Sequence, residues 1–370
     1  MYENDNRIVM TLDAGGTNMV FSAMKGAELI TDQIRLDAVN DNLERCIGTI
    51  KRGFDLVRGA LKEAPSAISF AFPGPADYKN GVIGDIPNFP AFKGGVPLGA
   101  ILEDIYHIPV FIENDGNLFS YGEATMGMLP KINTALKSSG VNKCFKNLIG
   151  ITFGTGFGAG VTIDGRLLTG DNGCGGDLWL TKNSIYPDLI AEESVSKRGV
   201  IRAYCEKSKS NDSALSPKDV FDIAEGLREG NRAAAISAFD ELGRVAGASI
   251  ASALDIADGL VVIGGGIAGA SQYILPGLCD VLRSNLNMYG NQCVPMVEME
   301  VFNWEDPVER KRFLDWPDKF VQSPVSKRKV LYHSSRRTAV AISENGSSVS
   351  IMKGAYAFAL ANIDNTQKFL

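Results

Sequence analysis

Two glycine turns, each joining two apolar runs, stand far apart in the chain. The first lies in Thr11–Thr17 (TLDAGGT) and the second in Thr152–Gly158 (TFGTGFG). Apolar runs on both sides of such a turn are typical of a β-hairpin. Because this unit is repeated at the scale of a domain, it predicts two duplicated lobes facing each other across a central cleft.

The rest of the pattern predicts an α/β protein. A chain of 370 residues is long for one hydrophobic core, so two domains are expected. We predict an N-terminal lobe of residues 1–120 plus 353–370, and a C-terminal lobe of residues 121–352 that contains a less regular basic insertion at about 303–350. Strands are predicted at 8–12, 19–24, 67–72, 109–112, 148–153, 161–163 and 260–263, and helices at 41–64, 99–106, from about 115, at 232–258 with Gly259 as the stop, and from about 352.

Composition excludes several functional classes. Hydrophobic residues make up 45% and charged residues 22%, as in a folded globular protein. The net charge of −6 argues against broad nucleic-acid binding, so we interpret the basic clusters between Arg310 and Arg337 as a solvated insertion. No window is long enough to span a membrane, and the N-terminus lacks the pattern of a signal peptide. Six scattered cysteines predict reduced thiols and a cytoplasmic location.

A carboxylate is the expected agent of acid–base chemistry, because the chain has only two histidines. Asp115 stands between an apolar strand and a predicted helix start, where a side chain can face a cleft. Glu113, Asn114 and Asn117 surround it, and such a polar cluster suits sugar hydroxyls. The alternative interpretation of Asp115 is a helix N-cap. The residues alone leave both open.

The two glycine turns also suit phosphate groups. Glycine lets the backbone approach an anion closely, and successive N–H groups form an anion nest. Asp13 precedes the first turn, and a carboxylate beside a phosphate requires a cation such as Mg²⁺. Taken alone, each turn is more often a plain hairpin turn than a phosphate site. The chain has no Gly-x-x-x-x-Gly-Lys-Ser/Thr loop.

A dinucleotide site is the main rival, because Gly264–Gly269 matches Gly-x-Gly-x-x-Gly between a predicted strand and a helix. About 20 residues further on, where an acidic partner for the ribose is expected, the chain reads Arg283-Ser284-Asn285-Leu286. The match also leaves both earlier turns unexplained, so this hypothesis is disfavoured.

With these motifs in this order, the chain resembles the ROK family (repressors, open reading frames and sugar kinases) of the actin/hexokinase-like, ribonuclease H-like superfamily. Leu12–Thr17 is similar to the family's first phosphate motif, Gly154–Gly158 to the second, and Val262–Gly266 to the adenosine motif. Phe72–Pro75 and Glu113–Asn117 are similar to the sugar side of the cleft.

The resemblance implies an ATP-dependent kinase acting on a hexose or modified sugar, with Asp115 as general base, Mg²⁺ as cofactor and a homodimeric assembly. Asp13 would face the Mg²⁺, through water. The sugar-binding residues implied are Asn88, Asn114, Asp115, Asp177 and Glu192. The ATP-binding residues implied are Asp13, Gly15, Gly16, Thr17, Gly154, Thr155, Gly156, Gly264, Gly265 and Gly266.

Two replacements depart from the family pattern. Where many members have Glu-x-Gly-His and then a cysteine-rich zinc segment, this chain has Asp177 and Leu180, and residues 181–191 contain no cysteine. No structural zinc is therefore expected, and the sugar pocket should differ from a glucose-type one. Glu192 matches a later sugar-binding Glu, although a solvated helix carboxylate is the alternative. The replacements also motivate a second functional hypothesis, a sugar-sensing regulatory protein without turnover.

Overall fold

The computed structural model of the chain describes residues 2–14, 18–74, 76–84, 90–210, 212, 214–316 and 319–367. Its helices are α1 (Leu43–Ala60), α2 (Leu98–Tyr106), α3 (Asp115–Met126), α4 (Met128–Ser138), α5 (Lys197–Ser208), α6 (Pro217–Glu225), α7 (Arg232–Ala257), α8 (Ser271–Leu282), α9 (Pro307–Leu314) and α10 (Ser347–Gln367). Among the described residues, no helix is both long and apolar enough to cross a membrane.

The strands are short and fall mainly into two sheets. They are β1 (Ile8–Ala14), β2 (Asn18–Lys25), β3 (Glu28–Leu29), β4 (Ile34–Asp37), β5 (Ala67–Ala71), β6 (Ala76–Asp77), β7 (Val82–Ile83), β8 (Val110–Glu113), β9 (Leu148–Phe153), β10 (Phe157–Ile163), β11 (Arg166–Leu167), β12 (Leu260–Gly264), β13 (Asn285–Met288), β14 (Gln292–Pro295), β15 (Glu300–Asn303), β16 (Lys319–Gln322), β17 (Lys329–Tyr332) and β18 (Arg337–Ile342).

The chain forms two compact units. Unit 1 comprises Met1–Gly127, Gly160–Gly176 and Asn345–Leu370, and unit 2 comprises Met128–Ala159 and Asp177–Glu344. These units differ from the lobes predicted with boundaries at residues 120 and 353 chiefly in Gly160–Gly176, which belongs to unit 1.

The sheet of unit 1 has the order β3-β2-β1-β5-β8, with β4 also paired to β2. As the first glycine turn predicted, β1 and β2 are antiparallel partners, while β1, β5 and β8 run parallel. Side chains on β1 alternate between two buried clusters, since Met10 and Leu12 pack with α1 and Val9 packs with α10. The sheet is therefore covered on both faces, which explains its almost continuous apolar strands.

The second sheet has the order β11-β10-β9-β12-β18-β15. Its strands β9, β12, β18 and β15 are parallel neighbours in that order. In both sheets the strand order is a short strand, then a hairpin, then two further parallel strands. This shared order confirms the duplication inferred from the glycine turns. In this correspondence β18 takes the place that β8 has in the first sheet.

The prediction of a less regular basic insertion at about 303–350 is wrong in part. Residues 337–342 form β18, whose central residues are buried between β12 and β15. Thr338 on this strand is 1% exposed, and its hydroxyl donates a hydrogen bond to the carbonyl oxygen of Gly259 at 2.7 Å. The preceding Arg336 and Arg337 concealed the strand in the sequence, because charged residues at a strand's first positions mask a short apolar run.

Two helix ends also differ from prediction. Helix α7 ends at Ala257, and the left-handed residue that follows is Asp258, with φ of 41°, and not Gly259. A glycine is required at position 259 for a different reason, because a Cβ there would overlap the backbone of Asn147. Helix α10 begins at Ser347, five positions before the predicted start near residue 352.

Two hairpins of unit 2 stand apart from the large sheets. Strands β13 and β14 pair with each other, as do β16 and β17. Nearly all residues of both hairpins are exposed, including large apolar side chains. The largest exposed fractions are those of Tyr289 (105%), Val325 (91%) and Phe320 (62%).

Candidate active site

Asp115 is the first residue of α3, directly after β8. The preceding residue, Asn114, is the N-cap, and its Oδ1 accepts hydrogen bonds from Gly116 N at 2.8 Å and Asn117 N at 3.4 Å. Of the two interpretations of Asp115, the helix cap is therefore wrong, because Asn114 fills that place. The side chain of Asp115 is exposed, and its Oδ1 accepts one bond, from Gly116 N at 2.9 Å.

The Asp115 carboxyl has a raised pKa. The main cause is burial among surrounding protein atoms, and the negative charge of Asp13 raises the pKa further, while the Gly116 amide lowers it. Exposure and burial are compatible here, because water reaches the carboxylate itself although protein atoms displace much of the surrounding solvent. A carboxylate with a raised pKa is a stronger base than an ordinary aspartate.

Glu113 holds the backbone around Asp115 through hydrogen bonds. Its side chain is 4% exposed, and its Oε1 accepts hydrogen bonds from Asn114 N at 2.9 Å and Asn117 Nδ2 at 3.1 Å. Burial raises the pKa of Glu113, and the two hydrogen bonds oppose that shift. Since both partners flank Asp115, this carboxyl holds the start of α3 in one conformation.

Asp13 lies near the end of β1 and interacts with Asp115 electrostatically. Its Oδ2 accepts a hydrogen bond of 2.6 Å from the hydroxyl of Ser348, in the first turn of α10. Burial raises the pKa of Asp13, whereas the Ser348 hydroxyl and the positive charge of Arg35 lower it. Ser348 could not be identified from the sequence, because a serine at a helix start is common and this one lies 335 positions from Asp13.

The surroundings of Asp13 suit a magnesium ion. A carboxylate whose pKa is raised by burial, and whose charge raises the pKa of a second carboxylate, is stabilised by a divalent cation. Mg²⁺ prefers one or two carboxylates and keeps several water ligands, so a single protein carboxylate is sufficient. Among the described residues, no three His, Cys, Asp or Glu side chains form a metal-binding group. A partly desolvated single carboxylate therefore fits Mg²⁺ that is held mainly by water.

In unit 2, the second glycine turn connects β9 to β10. Gly154 N donates to Gly156 O at 3.1 Å, and Gly154 O accepts from Lys197 N at 2.9 Å. Thr155, at the tip, is exposed. The turn is thus anchored at Gly154 and presents Thr155 to solvent.

The second glycine motif of unit 2 packs against the same place. Gly265 follows β12 with φ of 92°, and a Cβ there would overlap the backbone of Phe153, the residue before the glycine turn. Only glycine permits both this conformation and this approach. The Gly264–Gly266 motif and the turn at Gly154–Gly156 are therefore adjacent in one unit.

Glu192 lies behind the glycine turn. Its Oε2 accepts a hydrogen bond from Phe157 N at 3.0 Å, and its Oε1 accepts one from Arg198 at 2.8 Å. A Cβ on Gly156 would collide with this carboxylate. Glu192 is thus a structural partner of the turn in this conformation. Its pairing with Arg198 could not be predicted from the sequence, because no spacing rule links the two residues.

The remaining predicted residues lie in exposed or undescribed parts of the chain. Asp177 is exposed, and its pKa is raised by burial and lowered by a hydrogen bond with Trp179. Leu180 is 53% exposed. Four predicted residues lie outside the described part of the chain: Gly15, Gly16, Thr17 and Asn88. The structure brings together Asp13, Asn114 and Asp115 in unit 1, and the two glycine motifs with Glu192 in unit 2.

Comparison with known proteins gives consistent matches. The model of the ROK family matches residues 9–182. A solved glucokinase from Parabacteroides distasonis is 53% identical, with a TM-score of 0.88, and the alignment covers 98% of this chain and 99% of that one.

Two curated relatives are more distant. A glucokinase from Thermotoga maritima is 27% identical, over 78% of this chain and 92% of the relative. An N-acetyl-D-glucosamine kinase from Vibrio parahaemolyticus is 29% identical, over 69% of this chain and 83% of the relative. The relatives thus share an activity class and differ in the sugar that their names give.

Proposed function

The chain belongs to the ROK family and is a sugar kinase with the actin/hexokinase-like fold, and on this premise we propose that Asp115 is the general base that activates the sugar hydroxyl. The observation that carries this proposal is the state of Asp115, an exposed carboxylate with a raised pKa whose neighbour Asn114 caps the helix in its place. In the reaction, Asp115 would accept the hydroxyl proton while the oxygen attacks the γ-phosphorus of ATP and the bond to ADP breaks.

Unit 1 would also hold the substrate. We propose that Asn114, Asp115 and Asn88 bind sugar hydroxyls, and that Asp13 faces Mg²⁺ through water. When bound, Mg²⁺ supplies positive charge that offsets the negative charge of the triphosphate. The rigid hydrogen bonding of Glu113 supports this role, because phosphoryl transfer depends mainly on alignment.

We propose phosphate and nucleotide roles for the glycine motifs. Gly15, Gly16 and Thr17 would contact phosphates from one turn, and Gly154, Thr155 and Gly156 from the other. The motif Gly264–Gly266 would lie against the adenosine. In unit 2, the contact of Gly265 with the end of β9 supports a shared nucleotide site, because it places both motifs beside each other.

We propose that the sugar is a hexose or a modified sugar, and that its identity depends on residues that depart from the family pattern. Asp177 and Glu192 remain proposed sugar contacts, and Leu180 offers no hydrogen bond. Glu192 would have to exchange its bond with Phe157 N for a sugar hydroxyl, or act through the turn. The relatives favour turnover over the sugar-sensing alternative. The absence of structural zinc stays a prediction.

A panel of sugars with Mg-ATP tests the substrate class. We expect ADP release above the sugar-free background with at least one member of a panel of glucose, mannose, N-acetylglucosamine and N-acetylmannosamine. The sugar-free reaction and a reaction with excess EDTA are the controls. If no sugar stimulates ADP release while one raises the melting temperature, the protein senses sugar without turnover.

We also propose that the protein is a cytoplasmic homodimer. The described cysteines are free thiols, which suits a reducing compartment. The hairpins β13–β14 and β16–β17 support dimer formation, because two-stranded sheets exposed on both faces are marginally stable alone and large exposed apolar groups mark interaction surfaces.

A further inference from the structure

The first turn of α10 touches the candidate metal-binding carboxylate. Ser348 donates its hydroxyl to Asp13 Oδ2 at 2.6 Å, across 335 positions of sequence. At the N-cap of a helix, a serine hydroxyl accepts hydrogen bonds from backbone amides of the first turn, whereas Ser348 is the second residue of α10. Here the hydroxyl bonds a residue of another element, so its place is set by Asp13.

Helix α10 is packed against α3, the helix that begins with Asp115, without intervening side chains. A Cβ on Gly122 of α3 would overlap the carbonyl oxygen of Ser350, and a Cβ on Gly354 of α10 would overlap that of Leu118. Such close backbone approach fixes one helix relative to the other, because any larger side chain would separate them.

Polar contacts lock the same crossing. Glu123 Oε1 accepts a hydrogen bond of 2.6 Å from the Ser350 hydroxyl, and both side chains are at most 1% exposed. Lys353 donates to the carbonyl oxygen of Met126 at 3.3 Å and to Asn345 Oδ1 at 3.1 Å. The start of α10 therefore has a defined position relative to α3, and Ser348 transmits that position to Asp13.

We propose that Ser348 is a positioning residue that orients the Asp13 carboxylate for Mg·ATP and registers it against the helix of Asp115. This inference rests on the proposed nucleotide role of Asp13. Residues of the outer shell of a metal site, which orient the groups around the ion, typically change metal affinity by about 10–100-fold when they are removed. Only the Mg²⁺-dependent part of nucleotide binding should respond, because Ser348 acts through Asp13, the carboxylate proposed to face Mg²⁺.

Calorimetric titration with the non-hydrolysable analogue AMPPNP, with and without Mg²⁺, tests this proposal. We expect Ser348→Ala to weaken Mg·AMPPNP binding about 10–100-fold and to leave binding without Mg²⁺ unchanged. Ser348→Thr keeps the hydroxyl and should restore most of the affinity. Ser347→Ala, at the neighbouring position, is the matched control and should bind as the unmodified chain does. Melting temperatures show whether each variant is folded.

The proposal is overturned if Ser348→Ala binds Mg·AMPPNP as tightly as the unmodified chain, or if it weakens binding equally with and without Mg²⁺. Failure of the proposed kinase function has a different signature, since ADP release would then be absent with every sugar although the Mg²⁺-specific effect of Ser348→Ala remained. If the unmodified chain shows no Mg²⁺-dependent AMPPNP binding, the inference about Ser348 is wrong.

Discussion

Asp115 is held in place by its neighbours more than by its own side chain. Asn114 takes the helix cap, and Glu113 anchors the backbone on both sides. Because these neighbours hold the helix start, the Asp115 carboxylate has one amide partner and a raised pKa. The sequence indicated the cluster, whereas the identity of the cap required the backbone geometry of α3.

Asp115 should reduce the stability of the unliganded protein at neutral pH. Its folded-state pKa lies above the ordinary value of 3.8, so between these values the folded chain binds the proton more tightly than the unfolded chain. The free energy of unfolding therefore falls as pH rises through that window, and the loss persists at neutral pH. We expect Asp115→Asn to raise the melting temperature at pH 7 without ligands, with a smaller difference near pH 3.

Scanning calorimetry at both pH values measures this effect, with Asp32→Asn as a control at an exposed position of the same unit. An unchanged or lower melting temperature of Asp115→Asn at pH 7 would show that desolvation of this carboxylate is not a significant cost.

At the scale of elements, the crossing of α3 and α10 should be the most sensitive part of unit 1. Gly354→Ala would place a methyl group against the carbonyl of Leu118, and overpacking of this kind costs about 1–3 kcal/mol. Gly48→Ala is the matched control, since Gly48 lies in the exposed face of α1 with no atom within 4 Å of the added Cβ. There alanine should stabilise the helix by about 0.5–1 kcal/mol.

Chemical denaturation of the two variants measures both effects. Equal unfolding free energies for Gly354→Ala and the unmodified chain would mean that the two helices can separate without cost. The close packing of α3 and α10 would then not fix the position of Ser348.

Elements with a strong period or a buried apolar run could be predicted from sequence, and others could not. The predicted strand at 148–153 is confirmed as β9, and the predicted long helix is confirmed as α7. Strand β18 was missed because basic residues precede its apolar run, and the first turn of α10 because Ser347-Ser348 carries no apolar period. That second omission concealed Ser348. Pairings between side chains far apart in the chain, such as Asp13 with Ser348, have no sequence signal.

At the scale of the whole molecule, the duplicated sheets follow from the repeated turns, but the exposed hairpins of unit 2 lie outside these sheets.

For the proposed homodimer, light scattering should give about twice the monomer mass of 39.7 kDa. Leu286→Lys with Phe320→Lys should produce monomers, because a buried charge disfavours an apolar interface. Leu227→Lys is the control, since Leu227 is 76% exposed outside both hairpins. A monomeric unmodified chain would contradict the proposal.

The central claim, that Asp115 is the base, is tested most directly by the turnover number of Asp115→Asn with the best sugar of the panel. The substitution preserves size and the hydrogen bond from Gly116 but cannot accept the hydroxyl proton. If Asp115 is the base, kcat falls by about 10²–10⁴-fold, while calorimetry still detects sugar binding. A kcat within a few-fold of the unmodified enzyme would contradict it.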